Sequence, residues 1–90
     1  MMEEKLVYNF TDGRELNVVL GEDGYTVNIS GGGYAPKMGT FTSFEHMLHG
    51  IAPIVQGSEF RVDGEMLALE LSYSFTTDLD AEEIEEILLK

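Results

Sequence analysis

The sequence contains no cysteine, which excludes disulfides, thiolate nucleophiles and thiolate metal ligands. Basic residues are also scarce: five lysines and arginines stand against seventeen acids, so the net charge is −12 at pH 7. A field of this sign repels nucleic acid and anionic membranes and attracts basic surfaces. The chain has no apolar run of about 20 residues and begins with an acidic segment (MMEEKLVYNF) instead of an apolar leader. We therefore expect a cytoplasmic protein that binds neither nucleic acid nor membrane directly.

The length of 90 residues predicts a single domain spanning residues 1–90. The hydrophobic share of 43% is ordinary for a globular chain and argues against disorder. A domain of this size has one small core.

Three alternating segments near the N-terminus predict an antiparallel meander. Turns at Thr11-Asp12-Gly13 and at residues 21–24 separate them. A three-residue first loop and a four-residue second loop place the apolar side chains of all three strands on one face. The predicted cross-strand pairs are Phe10 with Arg14, Tyr8 with Leu16, Leu6 with Val18, Leu20 with Tyr25, Val18 with Val27, and Leu16 with Ile29.

Residues 31–40 (GGGYAPKMGT) interrupt the alternation and predict a flexible connection, which is either a binding loop or a slack crossover. A helix then follows. Thr42 is its predicted N-cap, and Glu45 completes a capping box by bonding back to the N-cap backbone; Gly50 or Pro53 ends the helix. Its apolar stripe consists of Phe44, Met47, Leu48 and Ile51.

Residues 66–75 (MLALELSYSF) alternate strictly between apolar and small or polar side chains, which predicts the central strand of a sheet. Asp63-Gly64 is then a hairpin turn that joins it to a strand over residues 58–62 and sets Phe60 against Leu67. In this interpretation Leu69 points into the core, and Leu69→Asp should unfold the protein. A final helix in residues 77–90 carries an apolar stripe of Ala81, Ile84, Ile87 and Leu88.

The predicted fold is α+β: a five-stranded antiparallel sheet, made of the meander plus the hairpin, in the order βββαββα. Both helices pack on one sheet face. The second face is expected to be wet or covered by a partner, and it carries Asn9, Asn17, Thr26, Asn28, Glu70, Ser72 and Ser74, with Val7 and Val19 as apolar exceptions.

Motifs for catalysis are weak. His46 and His49 lie one helical turn apart, but their order with Glu45 does not match a zinc-protease motif, and no third ligand is adjacent. The glycine run lies about ten residues before the helix, too far to cradle a phosphate at the helix N-terminus. We therefore expect no enzyme activity, no cofactor and no metal.

The acidic C-terminal helix is the strongest functional signal. Several of its acids lie beyond the first turn, where the helix dipole no longer favours them. Their density is about one charge per 2 Å of helix, close to that of duplex DNA, about one per 1.7 Å. The candidate partner-binding residues are those of this segment and of the glycine loop: Asp78, Asp80, Glu82, Glu83, Glu85, Glu86, Gly32, Gly33, Tyr34 and Lys37.

These features favour a small acidic binding protein that inhibits or modulates a basic, nucleic-acid-handling partner. Phage and mobile-element inhibitors, such as nucleic-acid mimics, are similarly short, acidic and cysteine-free. A solubilising acidic face without a partner is the simpler alternative. A second hypothesis is a dimeric chaperone or adaptor, by coarse analogy with small acidic secretion chaperones. These also use three strands, a helix, two strands and a helix, but usually begin with another helix, which is not predicted here. A third is a metal-dependent enzyme using His46 and His49.

Overall fold

Four antiparallel strands are followed by three helices in the part of the chain that the computed structural model describes, which is residues 4–57 and 61–89, with the backbone alone for residues 34–36. The elements are β1 (Glu4–Asn9), β2 (Arg14–Gly21), β3 (Gly24–Gly31), β4 (Tyr34–Phe41), α1 (Phe44–Gln56), α2 (Arg61–Ser74) and α3 (Ala81–Leu89). The sheet order is β1-β2-β3-β4. The α+β class and the antiparallel sheet are confirmed. The prediction of a five-stranded sheet in the order βββαββα is wrong. The chain therefore does not share its element order with the secretion chaperones.

The N-terminal meander has the predicted register. Leu6 pairs with Val18, and Tyr8 with Leu16, across the first hairpin. Across the second, Leu20 pairs with Tyr25, Val18 with Val27, and Leu16 with Ile29. The alternating apolar side chains of these strands are buried together, because cross-strand partners point to the same face.

The predicted loop over residues 31–40 is instead the β3–β4 turn and most of strand β4. Gly31, Gly32 and Gly33 make the turn, with φ angles of +89°, +63° and +82° that side-chain-bearing residues rarely adopt. Beyond it, Lys37 pairs with Ile29, and Phe41 with Tyr25. The sequence does not show the apolar alternation of a strand here, because Lys37 and Gly39 occupy two of the helix-facing positions of β4. Pro36 is tolerated because β4 is an edge strand.

Helix α1 begins and ends later than predicted. Ser43 is the N-cap, not Thr42, and its hydroxyl accepts a hydrogen bond from the His46 backbone N–H at 3.1 Å. Gly50 lies inside the helix: a Cβ there would stand 2.3 Å from Cζ of Phe41, so Gly50 makes room for that ring. Pro53 also lies inside, on an exposed position, and the helix continues to Gln56 before its cap at Gly57.

The predicted central strand over residues 66–75 is helix α2 and the residue that follows it. Leu67 and Leu71 are fully buried and Phe75 nearly so, whereas Leu69 is 41% exposed and Tyr73 85% exposed. Every fourth residue is therefore buried, as a helix requires, and not every second residue. The expectation that Leu69 points into the core is wrong.

The predicted Asp63-Gly64 hairpin turn lies in the first turn of α2. A Cβ on Gly64 would stand 2.5 Å from Leu89 Cδ2, so this glycine lets α2 and α3 approach closely. Of the strand predicted over residues 58–62, Arg61 and Val62 belong to α2, and residues 58–60, including Phe60, lie outside the described residues.

All three helices lie on one side of the sheet. Helix α1 packs on β3 and β4, α2 packs on β1, and α3 packs on both α1 and α2. The aromatic rings of Tyr25, Phe44 and Phe75 meet between sheet and helices, with centroids 5.6–6.0 Å apart. The helical residues predicted for the core are buried: Phe44, Met47, Leu48, Ile84 and Leu88.

The second face of the sheet is uncovered in the described chain, and Asn9, Asn28 and Val7 are exposed there. The polar residues expected on the same face from residues 66–75 lie on α2 instead: Glu70, Ser72 and Ser74.

Candidate partner-binding surface

Helix α3 is held at its start by a reciprocal pair of side-chain bonds. The Glu83 backbone N–H donates to Asp80 Oδ1 at 2.8 Å, and the Asp80 backbone N–H donates to Glu83 Oε1 at 3.2 Å. This capping box satisfies two N–H groups that have no partner within the helix. Asp80 is therefore the cap, and Asp78 lies exposed in the preceding segment. The acids of this segment are carried on a defined helix.

The two sides of α3 differ sharply. Ile84 and Leu88 are buried and contribute to the core. The opposite arc carries four glutamates, of which Glu82, Glu83 and Glu86 are exposed and Glu85 is half-buried. Two of the four lie in the first turn, where the dipole favours them by about 0.3–1 kcal/mol each. Glu85 and Glu86 lie in the C-terminal half, where the dipole opposes a negative charge, so the dipole does not account for their presence.

These glutamates line a groove of about 380 Å³, which we call the acidic groove. Its lining consists of Arg61, Asp80, Glu82, Glu83, Glu85, Glu86 and Leu89. Five acids and one base, Arg61, are in this lining, so its charge is predominantly negative. Carboxylates in this arrangement suit a guanidinium or ammonium group. The groove brings together five of the six predicted acidic residues, and Asp78 is not among its lining.

The other predicted residues lie elsewhere. Gly32 and Gly33 are exposed in the β3–β4 turn, and Tyr34 begins β4. Lys37 lies on the helix-facing side of β4 and lines a separate cavity of about 250 Å³ with Arg14, Ser30 and Pro53 among its residues. The structure therefore does not join the glycine turn and the acidic groove into one site.

A buried carboxylate was missed by the sequence reasoning. Asp63 is fully buried in the first turn of α2. Its Oδ1 accepts from Tyr8 Oη at 3.1 Å and from the Thr11 backbone N–H at 3.2 Å, and its Oδ2 accepts from Thr11 Oγ1 at 2.8 Å. Burial, followed by the bond to Asp63, raises the pKa of Tyr8 to about 12. At neutral pH the tyrosine therefore keeps its proton and donates it to Asp63, and the cluster fastens α2 to β1 and the β1–β2 turn.

The second missed residue is Arg14, which is also buried. Its Nε donates to Asp12 Oδ2 at 2.8 Å, and its guanidinium carbon lies 4.8 Å from the centroid of the Phe10 ring. Asp12 also accepts from the Arg14 backbone N–H at 3.1 Å. An Asp two residues before an Arg at a hairpin turn is the local signal that could have indicated this pair.

His46 and His49 are exposed on α1. Within residues 4–57 and 61–89, no three histidine or acidic side chains come together in a way that could hold a metal ion. None of the described helices is both long enough and apolar enough to cross a membrane.

Comparison of the chain with protein-family models, with curated proteins and with solved structures found no match. Any functional conclusion therefore depends on the surfaces described above.

Proposed function

We propose that this chain is a non-enzymatic binding protein that occupies the nucleic-acid-binding surface of a basic protein and thereby inhibits or modulates it. The observation that carries the proposal is the acidic groove. Four glutamates of α3 line it along one arc, two of them (Glu85 and Glu86) where the helix dipole opposes a negative charge, and the groove is large enough for a basic side chain.

The distribution of charge supports this proposal. Residues 61–89 carry a single base, and all their acids except Asp63 lie outside the buried core. The acids are Glu65, Glu70, Asp78, Asp80, Glu82, Glu83, Glu85 and Glu86. Fields of one sign on one side of a protein steer a partner of opposite charge and speed association. Such a complex should weaken as salt is added, because salt screens the attraction.

The test begins with affinity capture from the native host at low and at high salt, with identification of the captured proteins. The purified partner is then titrated with the wild-type chain and with the triple variant Glu82→Gln, Glu85→Gln and Glu86→Gln. Glutamine preserves side-chain length and helix propensity while removing charge. Glu83 is left intact because it belongs to the capping box.

The matched control is the triple variant Glu22→Gln, Asp23→Asn and Glu45→Gln, which removes the same charge from exposed positions outside the groove. We expect the groove variant to lose at least about tenfold in affinity, equal to about 1.4 kcal/mol, and to stop competing with the partner's nucleic acid. The control should keep both properties. Equal losses in both variants, or no loss in the groove variant, would refute the proposal.

A further inference from the structure

The sheet surface that faces away from the helices, which we call the outer sheet face, is nearly uncharged in a chain of net charge −12. It carries Lys5, Val7, Asn9, Glu15, Asn17, Val19, Thr26, Asn28, Ser30, Met38 and Thr40, with one base and one acid among them. The acidic α2–α3 layer lies on the opposite side. A like-charged second copy is therefore repelled least at the outer sheet face.

Two apolar side chains stand out on this face: Met38 is 73% exposed and Val7 is 52% exposed. They lie at the two ends of one row across the sheet, because Val7 pairs with Asn17, Asn17 with Asn28, and Asn28 with Met38. The row reads apolar, amide, amide, apolar. Amides both donate and accept hydrogen bonds, so each can bond to an identical amide.

A two-fold axis along this row makes the face complementary to itself. Each residue of the row then meets its own copy, which places methionine on methionine, valine on valine and amide on amide. The same rotation exchanges the two flanking rows, of which one contains Lys5 and the other Glu15. Lys5 and Glu15 lie on adjacent strands, so Lys5 of one copy lies beside Glu15 of the other, twice per dimer. Within one chain Glu15 Oε2 already accepts from Asn17 Nδ2 at 3.3 Å, which holds it at this face.

We infer that the outer sheet face is a homodimer interface in which two sheets pack face to face. Four strands about 4.8 Å apart and about 24 Å long give a face of roughly 500 Å² per copy. Specific interfaces of standard size bury about 800 Å² per partner, so the dimer is weak and depends on concentration. It places the two acidic grooves on opposite outer sides, where both stay open to partners.

The test is sedimentation velocity on the wild-type chain up to about 1 mM, at low and at high salt. Salt should strengthen this association, because it screens the repulsion between two chains of charge −12. A partner complex in the acidic groove should respond in the opposite direction, so failure of one proposal is distinguishable from failure of the other. A chain that stays monomeric at about 1 mM in high salt would overturn the inference.

Variants locate the interface. Met38→Glu sets two like charges against each other across the two-fold axis and should weaken the dimer at least about tenfold. Met66→Glu is the matched control, since Met66 is 45% exposed on α2 and adds the same charge away from the face. Val7→Glu serves as a second disrupting variant, and circular dichroism checks the folding of each. Equal weakening by Met66→Glu would place the contact elsewhere and exclude this interface.

The charge pair gives an independent readout. Lys5→Glu and Glu15→Lys should each weaken the dimer, and the double swap should restore it, because it re-forms the pair with its signs reversed. Amide chemical shifts followed on dilution should change at the outer sheet face and not on α3. Shift changes confined to the helices, or a double swap no better than either single variant, would contradict the two-fold arrangement.

Discussion

Replacing Leu71 by alanine should cost much more stability than replacing Leu69, although the two residues are two positions apart in α2. Leu71 is fully buried, and Leu69 is 41% exposed. Removing a fully buried leucine side chain costs about 3–5 kcal/mol, because transfer free energy is lost and a cavity remains. An exposed leucine loses little of either, and alanine is the better helix former, so Leu69→Ala should cost less than about 1 kcal/mol.

The difference between the two substitutions is large relative to the total free energy of unfolding. A 90-residue domain has about 5–13 kcal/mol of stability, so Leu71→Ala removes a major fraction of it. Urea unfolding followed by far-ultraviolet circular dichroism measures both variants, and an unchanged m-value shows that their midpoints can be compared. Tyr73→Ala is a further control, since Tyr73 is 85% exposed and should also cost little.

The outcome that would refute the reasoning is specific. If residues 66–75 formed a strand, Leu69 and Leu71 would point to the same face and their replacements would cost similar amounts. Equal losses within about 0.5 kcal/mol would therefore exclude the helical packing of α2. A larger loss for Leu69→Ala would reverse the assigned faces.

Two further changes test other contacts. The pKa of Tyr8 is raised from its ordinary value of 10.0 to about 12, so its stabilising contribution is complete below pH 10 and is lost as the pH rises towards 12. Tyr8→Phe should therefore lower the urea midpoint at pH 7, through loss of the bond to Asp63, and flatten its decline between pH 10 and 12. An unchanged decline would contradict this. Gly50→Ala should cost about 1–3 kcal/mol despite better helix propensity, because its methyl group would overlap the Phe41 ring, and the same change in a Phe41→Ala background should cost less.

The wrong prediction of a strand over residues 66–75 has a geometric cause. A strict period of two also contains a period of four, so Leu67, Leu71 and Phe75 form one side of a helix as readily as part of one strand face. The discriminating signal was composition: the segment contains alanine, leucine, methionine and glutamate, which favour helices, and no β-branched residue. In this segment helix propensity, and not the period of two, agrees with the structure.

The meander was predictable for the opposite reason. Apolar side chains recur at every second position in β2 (Leu16, Val18, Leu20) and β3 (Tyr25, Val27, Ile29), and β-branched residues are frequent in both strands. Glycine-containing turns separate the strands, so composition and period agree. The apolar stripe of α3 was predictable because it depends on residues within two helical turns of each other. Asp63 was not, since its partners Tyr8 and Thr11 lie more than 50 residues away in the sequence.

Net charge alone could not reveal how this chain divides its surface. The value of −12 describes one diffuse field, whereas the fold separates an acidic α2–α3 layer from a sheet face with one lysine and one glutamate. If only the net charge of the chain determined partner binding, the loss of any three carboxylates would weaken the partner complex equally. The effect of salt on the partner complex and on the homodimer would then depend only on that net charge. A defined acidic groove predicts that position decides: three charges lost on α3 weaken the partner complex, and three lost elsewhere do not. Either triple variant also lowers the net charge and the repulsion between copies, so neither should weaken the homodimer, and this contrast separates a binding surface from a merely solubilising one.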